Sequence, residues 1–313
     1  MFSEVHVRKF SHAIVAAAAL CLATPALAQD HGDADSQANI VVRGKTLDAR
    51  EQARQLVGRM SVQVEGQLAR FGDEICPFVS GFSEVYAEKV AARIRKIADE
   101  AGATPGGPRC RPNLVVVIVD DGRAFTRELY RLYPGQFTNM DPAKRKRLLN
   151  SQARARSWTV TALYNEDGQA AALSNASSND TGMNGSRLTI GNGKSVLRVS
   201  QASIINPPTQ QQIELAYVVI ETQATLGRKL MQVADYAAMR GLMQSRPEKL
   251  AAGDDTILRL FEPDALSGPA ALTASDRAYL SGLYHGRGNR SAAAQMGRIS
   301  SGVATGAGAP ATP

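Results

Sequence analysis

Histidine is nearly absent. The 313-residue chain holds four, at positions 6, 12, 31 and 285, too few and too scattered for chemistry that depends on imidazole. A Ser-His-Asp relay needs a histidine within hydrogen-bond reach of both partners, and none of the four is placed for it. A zinc peptidase needs two histidines on one helix face, a third ligand beyond, and a glutamate to activate water. Aromatic residues are 5% of the chain, so no broad stacking surface for sugars or bases is expected. The glycines form no phosphate-cradling loop ahead of a helix. Beyond the first 28 residues, no stretch approaches the ~20 apolar residues of a membrane-spanning helix.

The N-terminus does carry a readable signal. Arg8 and Lys9 precede a short apolar run over residues 13–23, Pro25 breaks it, and Ala26-Leu27-Ala28 presents small side chains where a signal peptidase reads. Cleavage after Ala28, leaving Gln29 first, is the expectation, and it places the protein in the periplasm or outside the cell. Cys21 raises the alternative of a lipoprotein, but Leu20 before it is bulky where that processing wants a small residue. Loss of Glu4, Arg8 and Lys9 lowers the formal charge of +7 by one. In an exported chain a basic balance excludes nucleic acid and points to lipid headgroups or acidic glycans.

Removal of Cys21 leaves Cys76 and Cys110. Two cysteines in an oxidising compartment imply one bridge. Closing a loop of about 35 residues restricts the unfolded chain by roughly 3.5–4 kcal/mol. A redox pair or a thiolate nucleophile is the functional alternative. Neither cysteine lies in a C-x-x-C, and Pro77 and Pro112 flank rigid turns, so a structural bridge is expected.

Residues 29–39 are polar, acidic and small and predict a disordered leader. Residues 40–43 have strand character. A helix over 47–60 starts from Thr46 or Asp48, and a second runs from Ser83 to Gly102 with Val85, Val90, Ile94 and Ile97 as its apolar stripe. The run LVVVIV at 114–119 predicts a strand buried on both faces. Asp120-Asp121-Gly122 turns the chain into a helix over 123–133, and Asp141-Pro142 opens another over 143–152. Strands are predicted at 158–164, 196–203 and 214–221, with a hairpin turn at 165–168 and a long loop over 174–194. Helix follows at 227–244, a short apolar segment at 256–261, and Thr273 caps a helix over 274–284. Residues 286–313, rich in Gly, Ala, Ser and Pro, predict a disordered low-complexity tail. The order gives an α+β fold over residues 40–285: a mixed sheet with helices packed on it, one disulfide-stapled domain.

Few side chains remain for chemistry. Glu221, Asp235 and Asp255 are the acids a carboxylate-dependent hydrolase would use. Asp235 in mid-helix needs a partner if buried, and a polar network in the core is the other role open to it. Asp120-Asp121 resembles a Mg²⁺ site at a strand's carboxyl end, against the simpler reading of solvated turn carboxylates. Lys144, Arg145, Lys146 and Arg147, with Arg154 and Arg156 nearby, are the densest charge. They read as an anionic-surface grip or as the solvated face of a short helix whose buried side is Leu148 and Leu149. No metal or cofactor is expected.

Two resemblances follow. LTASDRAYLSGLY (272–284) is similar to the closing helix of matrixin-like zincins, Asp255-Thr256-Ile257-Leu258 to their segment beneath the metal, and LMQVADYAAMRGL (230–242) stands where their metal-binding helix would be. Gln232, Asp235 and Tyr236 occupy that helix, so the resemblance implies a degenerate zincin-like C-terminal half without its metal. The chain also resembles a family of uncharacterised exported proteins of Gram-negative bacteria. The shared features are Ile40-Val41-Val42-Arg43-Gly44, Cys76-Pro77, a helix ending near Ala101-Gly102, Cys110-Arg111-Pro112-Asn113-Leu114, and the run ADYAAMR at 234–240. They span most of residues 40–284 and imply no activity. The expected role is a non-catalytic envelope or periplasmic protein that binds another protein or an envelope component. The alternative is an atypical or metal-independent hydrolase derived from the zincin fold.

Overall fold

Six consecutive apolar residues, five of them β-branched, leave Leu114–Val119 no polar face to turn to water. In the computed structural model, which describes residues 48–138, 140–165, 167–170, 207–262 and 268–306, they form an inner strand of a four-stranded sheet. Its members are β1 (Pro77–Ser80), β2 (Leu114–Val119), β3 (Ala155–Asn165) and β4 (Thr209–Glu221), in the order β1-β2-β4-β3. β1 and β4 run parallel to β2 on either side, and β3 closes the edge antiparallel to β4. The fold is α+β with a mixed sheet, as expected.

Helices cover both faces. On one lie α2 (Glu84–Glu100) and α6 (Leu230–Leu242), packed on each other and on Leu114, Val116, Ile118, Ala216, Val218 and Ile220. On the other lie α3 (Gly122–Leu132) and α4 (Pro142–Asn150), over a smaller cluster built on Phe137, Trp158 and Val219. Trp158 stacks between Phe137 and Tyr217, with ring centroids 4.9 and 4.7 Å away. The alternation of β2 and β4 residues between these two clusters is the period-2 geometry of a strand.

The larger core continues into α1 (Ala49–Met60), α7 (Ala274–Tyr284) and α8 (Ala292–Thr305), where α8 packs on both α1 and α7. A four-residue helix, α5 (Thr222–Thr225), links β4 to α6. Caps follow the sequence closely. Asp48 accepts from Glu51 N–H, Asp121 from Ala124 N–H, and Asp141 from Ala143 and Lys144 N–H. Thr273 and Asp276 form a reciprocal capping box at the start of α7. Ser83 occupies the cap position of α2 but makes no side-chain hydrogen bond there.

The bridge is formed: Cys76 and Cys110 are disulfide-bonded, with Cα atoms 5.8 Å apart. It clamps the entries of β1 and β2, whose register begins at Pro77 opposite Leu114. The sequence spacing predicts a tie between the entry of the 83–102 helix and the start of the 114–119 strand; the strand end is as expected, and at the other end β1 stands between Cys76 and α2. Gly81 ends that strand at φ +95°, where a Cβ would lie 2.1 Å from the carbonyl oxygen of Ile118. Only glycine fits so close to the neighbouring backbone.

Two expectations are corrected. The composition of residues 286–313 predicts a disordered tail, yet residues 292–305 are helix α8, and the ordered domain continues past residue 285. Ser291 caps it, Gly306 ends it at φ +67°, and its buried Ala292 and Ile299 pack into the main core with Met296 and Val303. Those four recur at helical spacing, and alanine is the best helix former, so small residues here pack closely and do not signal disorder. The helix predicted over 227–244 begins at Leu230, after α5 and a turn at Gly227 with φ +73°. The leader peptide and cleavage site, residues 29–39, the strand at 40–43, the loop at 174–194 and the strand at 196–203 lie outside the described residues. Among the described residues no helix is long and apolar enough to cross a membrane.

Candidate functional site

The three acids that a hydrolase would need are held apart in separate structural roles. Asp235 projects from α6 and is fully buried. Its carboxylate accepts two hydrogen bonds from Arg93 of α2, at 2.6 and 3.1 Å, and a third from Leu272 N–H at 2.8 Å. The bond to Asp235 raises the pKa of the Arg93 guanidinium above the ordinary arginine value. Glu221, at the end of β4, pairs with Arg156 of β3 at 3.1 Å. Arg156 is nearly sealed from solvent and lies beneath Gly122, where a Cβ would come within 2.7 Å of its Nη1. Asp255 is exposed, and its backbone carbonyl accepts from Thr273 Oγ1. Its neighbour Asp254 makes the ion pair of that turn, with Arg59 of α1. No two of the three acids share a hydrogen-bond partner.

Beyond its first two residues α6 has no open face: every residue from Gln232 to Leu242 is buried. Gln232 donates to the Pro269 carbonyl, Tyr236 meets Phe261 edge-on, and the Arg240 guanidinium lies 6.0 Å from the Tyr236 ring centroid. This is a core helix with an internal polar network. His285, at the end of α7, rests against Gly102, where a Cβ would come within 2.5 Å of the ring. His31 lies outside the described residues. Among the described residues no three histidine, cysteine, aspartate or glutamate side chains converge as metal ligands. Asp121, one of the paired turn acids, serves as the α3 cap. The Ala124 N–H it accepts is the main cause that lowers its pKa.

The basic run lies on α4, which buries none of its residues. Lys144, Lys146 and Arg147 are exposed, and Arg145 lies 5.5 Å from the Tyr130 ring centroid. Leu148 packs against the Trp158 cluster. Arg156 is not part of this face, because it faces Glu221.

A buried acid with a shifted pKa sits at the start of α7. Asp276 is fully buried, and burial pushes its pKa up from 3.8 to about 6 against hydrogen bonds from Thr256, Ile257 N–H and Thr273 N–H. The folded chain therefore binds a proton more tightly than the unfolded chain. This group's contribution to stability is complete below about pH 3.8 and is lost as pH rises through about 6. At 1.36 kcal/mol per unit the loss is on the order of 3 kcal/mol. Urea midpoints at pH 4.5 and 6.5 should differ in this sense for the wild type, and Asp276→Asn should remove that part of the difference. Identical pH profiles for the two proteins would refute the shift.

A cavity of about 310 Å³ opens where α7 turns into α8, lined by Gly282, Leu283, Gly286, Arg287, Arg290, Ala294, Gln295 and Arg298. A further arginine binds the backbone of two of these residues. One nitrogen of Arg70 donates to the carbonyls of Leu283, Tyr284 and Gly286, at 3.0, 2.6 and 2.7 Å. Those carbonyls belong to the end of α7, where the helix leaves its acceptors unpaired. Burial lowers the Arg70 pKa and the charge of nearby Arg298 adds to the effect, yet a guanidinium stays protonated. Among the described residues Arg287, Arg290 and Arg298 have no carboxylate partner. Gln295 accepts from Leu68 N–H through Oε1 at 2.7 Å, which leaves its amide nitrogen as the side chain's free donor.

These arginines were missed in the sequence because they fall in the segment read as a tail. The signal was there: residues 286–306 carry three arginines and no acid. The fold and site define an α+β domain with one bridge and a cationic concavity at its C-terminal end. No protein-family model, curated protein or solved structure matches the chain.

Proposed function

We propose that this protein is an exported, non-catalytic binding protein of the cell envelope whose working site is the arginine-lined cavity between α7 and α8. One contrast carries the reading. The acids suited to hydrolysis are engaged with Arg93 and Arg156 or displayed singly on the surface, whereas the cavity's cations have no carboxylate partner among the described residues. The N-terminal signal supports export, and the Cys76–Cys110 bridge suits an oxidising compartment. The zincin likeness enters as ancestry. β4 leads through α5 into α6, the strand-then-helix order of those peptidases, and α6 carries Gln232, Asp235 and Tyr236 inside a sealed core.

Metal analysis of the full chain purified from the periplasm tests this. Substoichiometric zinc and an N-terminus at Gln29 are expected. One tightly held zinc per chain, or retention in the cytoplasm with residues 1–28 intact, would overturn the reading and return a zincin-derived hydrolase to first place.

A further inference from the structure

We infer that the cavity between α7 and α8 binds a phosphate ester. This deepens the binding reading above and rests on it. Three arginines, Arg287, Arg290 and Arg298, line one cavity of about 310 Å³, and no carboxylate among the described residues forms an ion pair with them. An anion entering this cavity would meet cations that no internal ion pair occupies. A carboxylate offers two oxygens and one charge, which a single guanidinium fork already satisfies. A phosphate monoester offers about −1.5 to −2 charges and three acceptor oxygens, a match for three forks arriving from separate positions.

The surroundings add to the charge. Arg70, bonded to the Leu283 and Gly286 carbonyls, is close enough to Arg298 for their charges to interact. Ala294 lies in the first turn of α8, where the helix dipole is positive. The volume corresponds to roughly ten waters at about 30 Å³ each, more than a phosphoryl group alone requires. Leu283 and Ala294 offer an apolar wall for an organic scaffold, and the amide nitrogen of Gln295 can donate to an ester or hydroxyl oxygen. Gly282 and Gly286 hold the wall close. A Cβ at Gly282 would come within 2.9 Å of Ile299, and one at Gly286 within 2.9 Å of the Gly282 carbonyl.

The shared chemistry is a phosphate ester, whether on a soluble metabolite or on a lipid headgroup. Calorimetric titration of the full chain with glycerol 3-phosphate, with acetate as control, addresses the first source. Sedimentation with phosphatidic acid vesicles addresses the second. Saturable binding in either arm, weakened tenfold or more by Arg290→Gln and by Arg298→Gln, is expected. Both side chains reach solvent and make no fold-holding bond, and an unchanged melting curve confirms that the variants fold. Binding in the soluble arm assigns a small phosphate ester, and binding on vesicles alone assigns a headgroup. Equal affinity for acetate, no saturable binding in either arm, or binding lost in Lys146→Gln but retained in both arginine variants would overturn the inference. Zinc content is independent of these results, so failure here leaves the non-catalytic reading standing on its own test.

Discussion

Asp235→Ala destabilises the fold by about 3–5 kcal/mol, the cost of removing one member of a buried ion pair. The carboxylate has no exposed surface, and the Arg93 side chain that faces it is about 22% exposed. Alanine would leave that guanidinium without its counter-charge and Leu272 N–H without an acceptor. The site joins three parts of the chain: α2, α6 and the segment entering α7. The loss should therefore appear as cooperative unfolding at lower urea, and not as fraying of one helix. The double variant Asp235→Leu with Arg93→Met should recover part of the loss, because paired apolar replacements avoid the stranded charge. If Asp235 were instead a working acid, its removal would abolish activity and leave the urea midpoint in place. A change in stability under about 0.5 kcal/mol, the range of ordinary surface substitutions, would sink the structural role.

Removing the bridge, by reductant or by Cys76→Ser with Cys110→Ser, is expected to cost about 3.5–4 kcal/mol for a closed loop of this length. The sequence separation is 34 residues, and the loop contains β1 and all of α2. β1 has only four residues and sits at the sheet edge, so it depends on the bridge more than any other strand does. Without it, hydrogen exchange should rise first at the β1–β2 pairing, where Val79 and Val116 face each other, and the urea midpoint should fall. Unreduced peptide mapping should recover Cys76 linked to Cys110. Equal urea midpoints with and without reductant, after thiol counting shows full reduction, would refute a stabilising role.

Legibility in the sequence tracked how local the cause was. β2 and α7 have the predicted bounds, because an unbroken β-branched run and a Thr-x-x-Asp cap act within one element. β1 was invisible: PFVS is too short for its alternation to stand above chance and becomes a strand only by pairing with β2. α8 was misjudged because glycine, alanine and serine signal disorder in isolation, while Gly282 beside Ile299 shows them serving close helix packing. The need of Asp235 for a partner was foreseen; Arg93, 142 residues away, was not.

By itself the sequence determined that no helix carries two histidines four residues apart, the pair a zincin's metal-binding helix needs. It also determined the single bridge and the α+β pattern, which depend on residue type and spacing. Tertiary structure alone decided which charges are locked and which are open. Arg93 and Arg156 meet acids brought from distant segments, while Arg287, Arg290 and Arg298 meet none among the described residues. Electrostatic partnership depends on distance in space, and no local pattern records which remote side chain will come within a few ångströms.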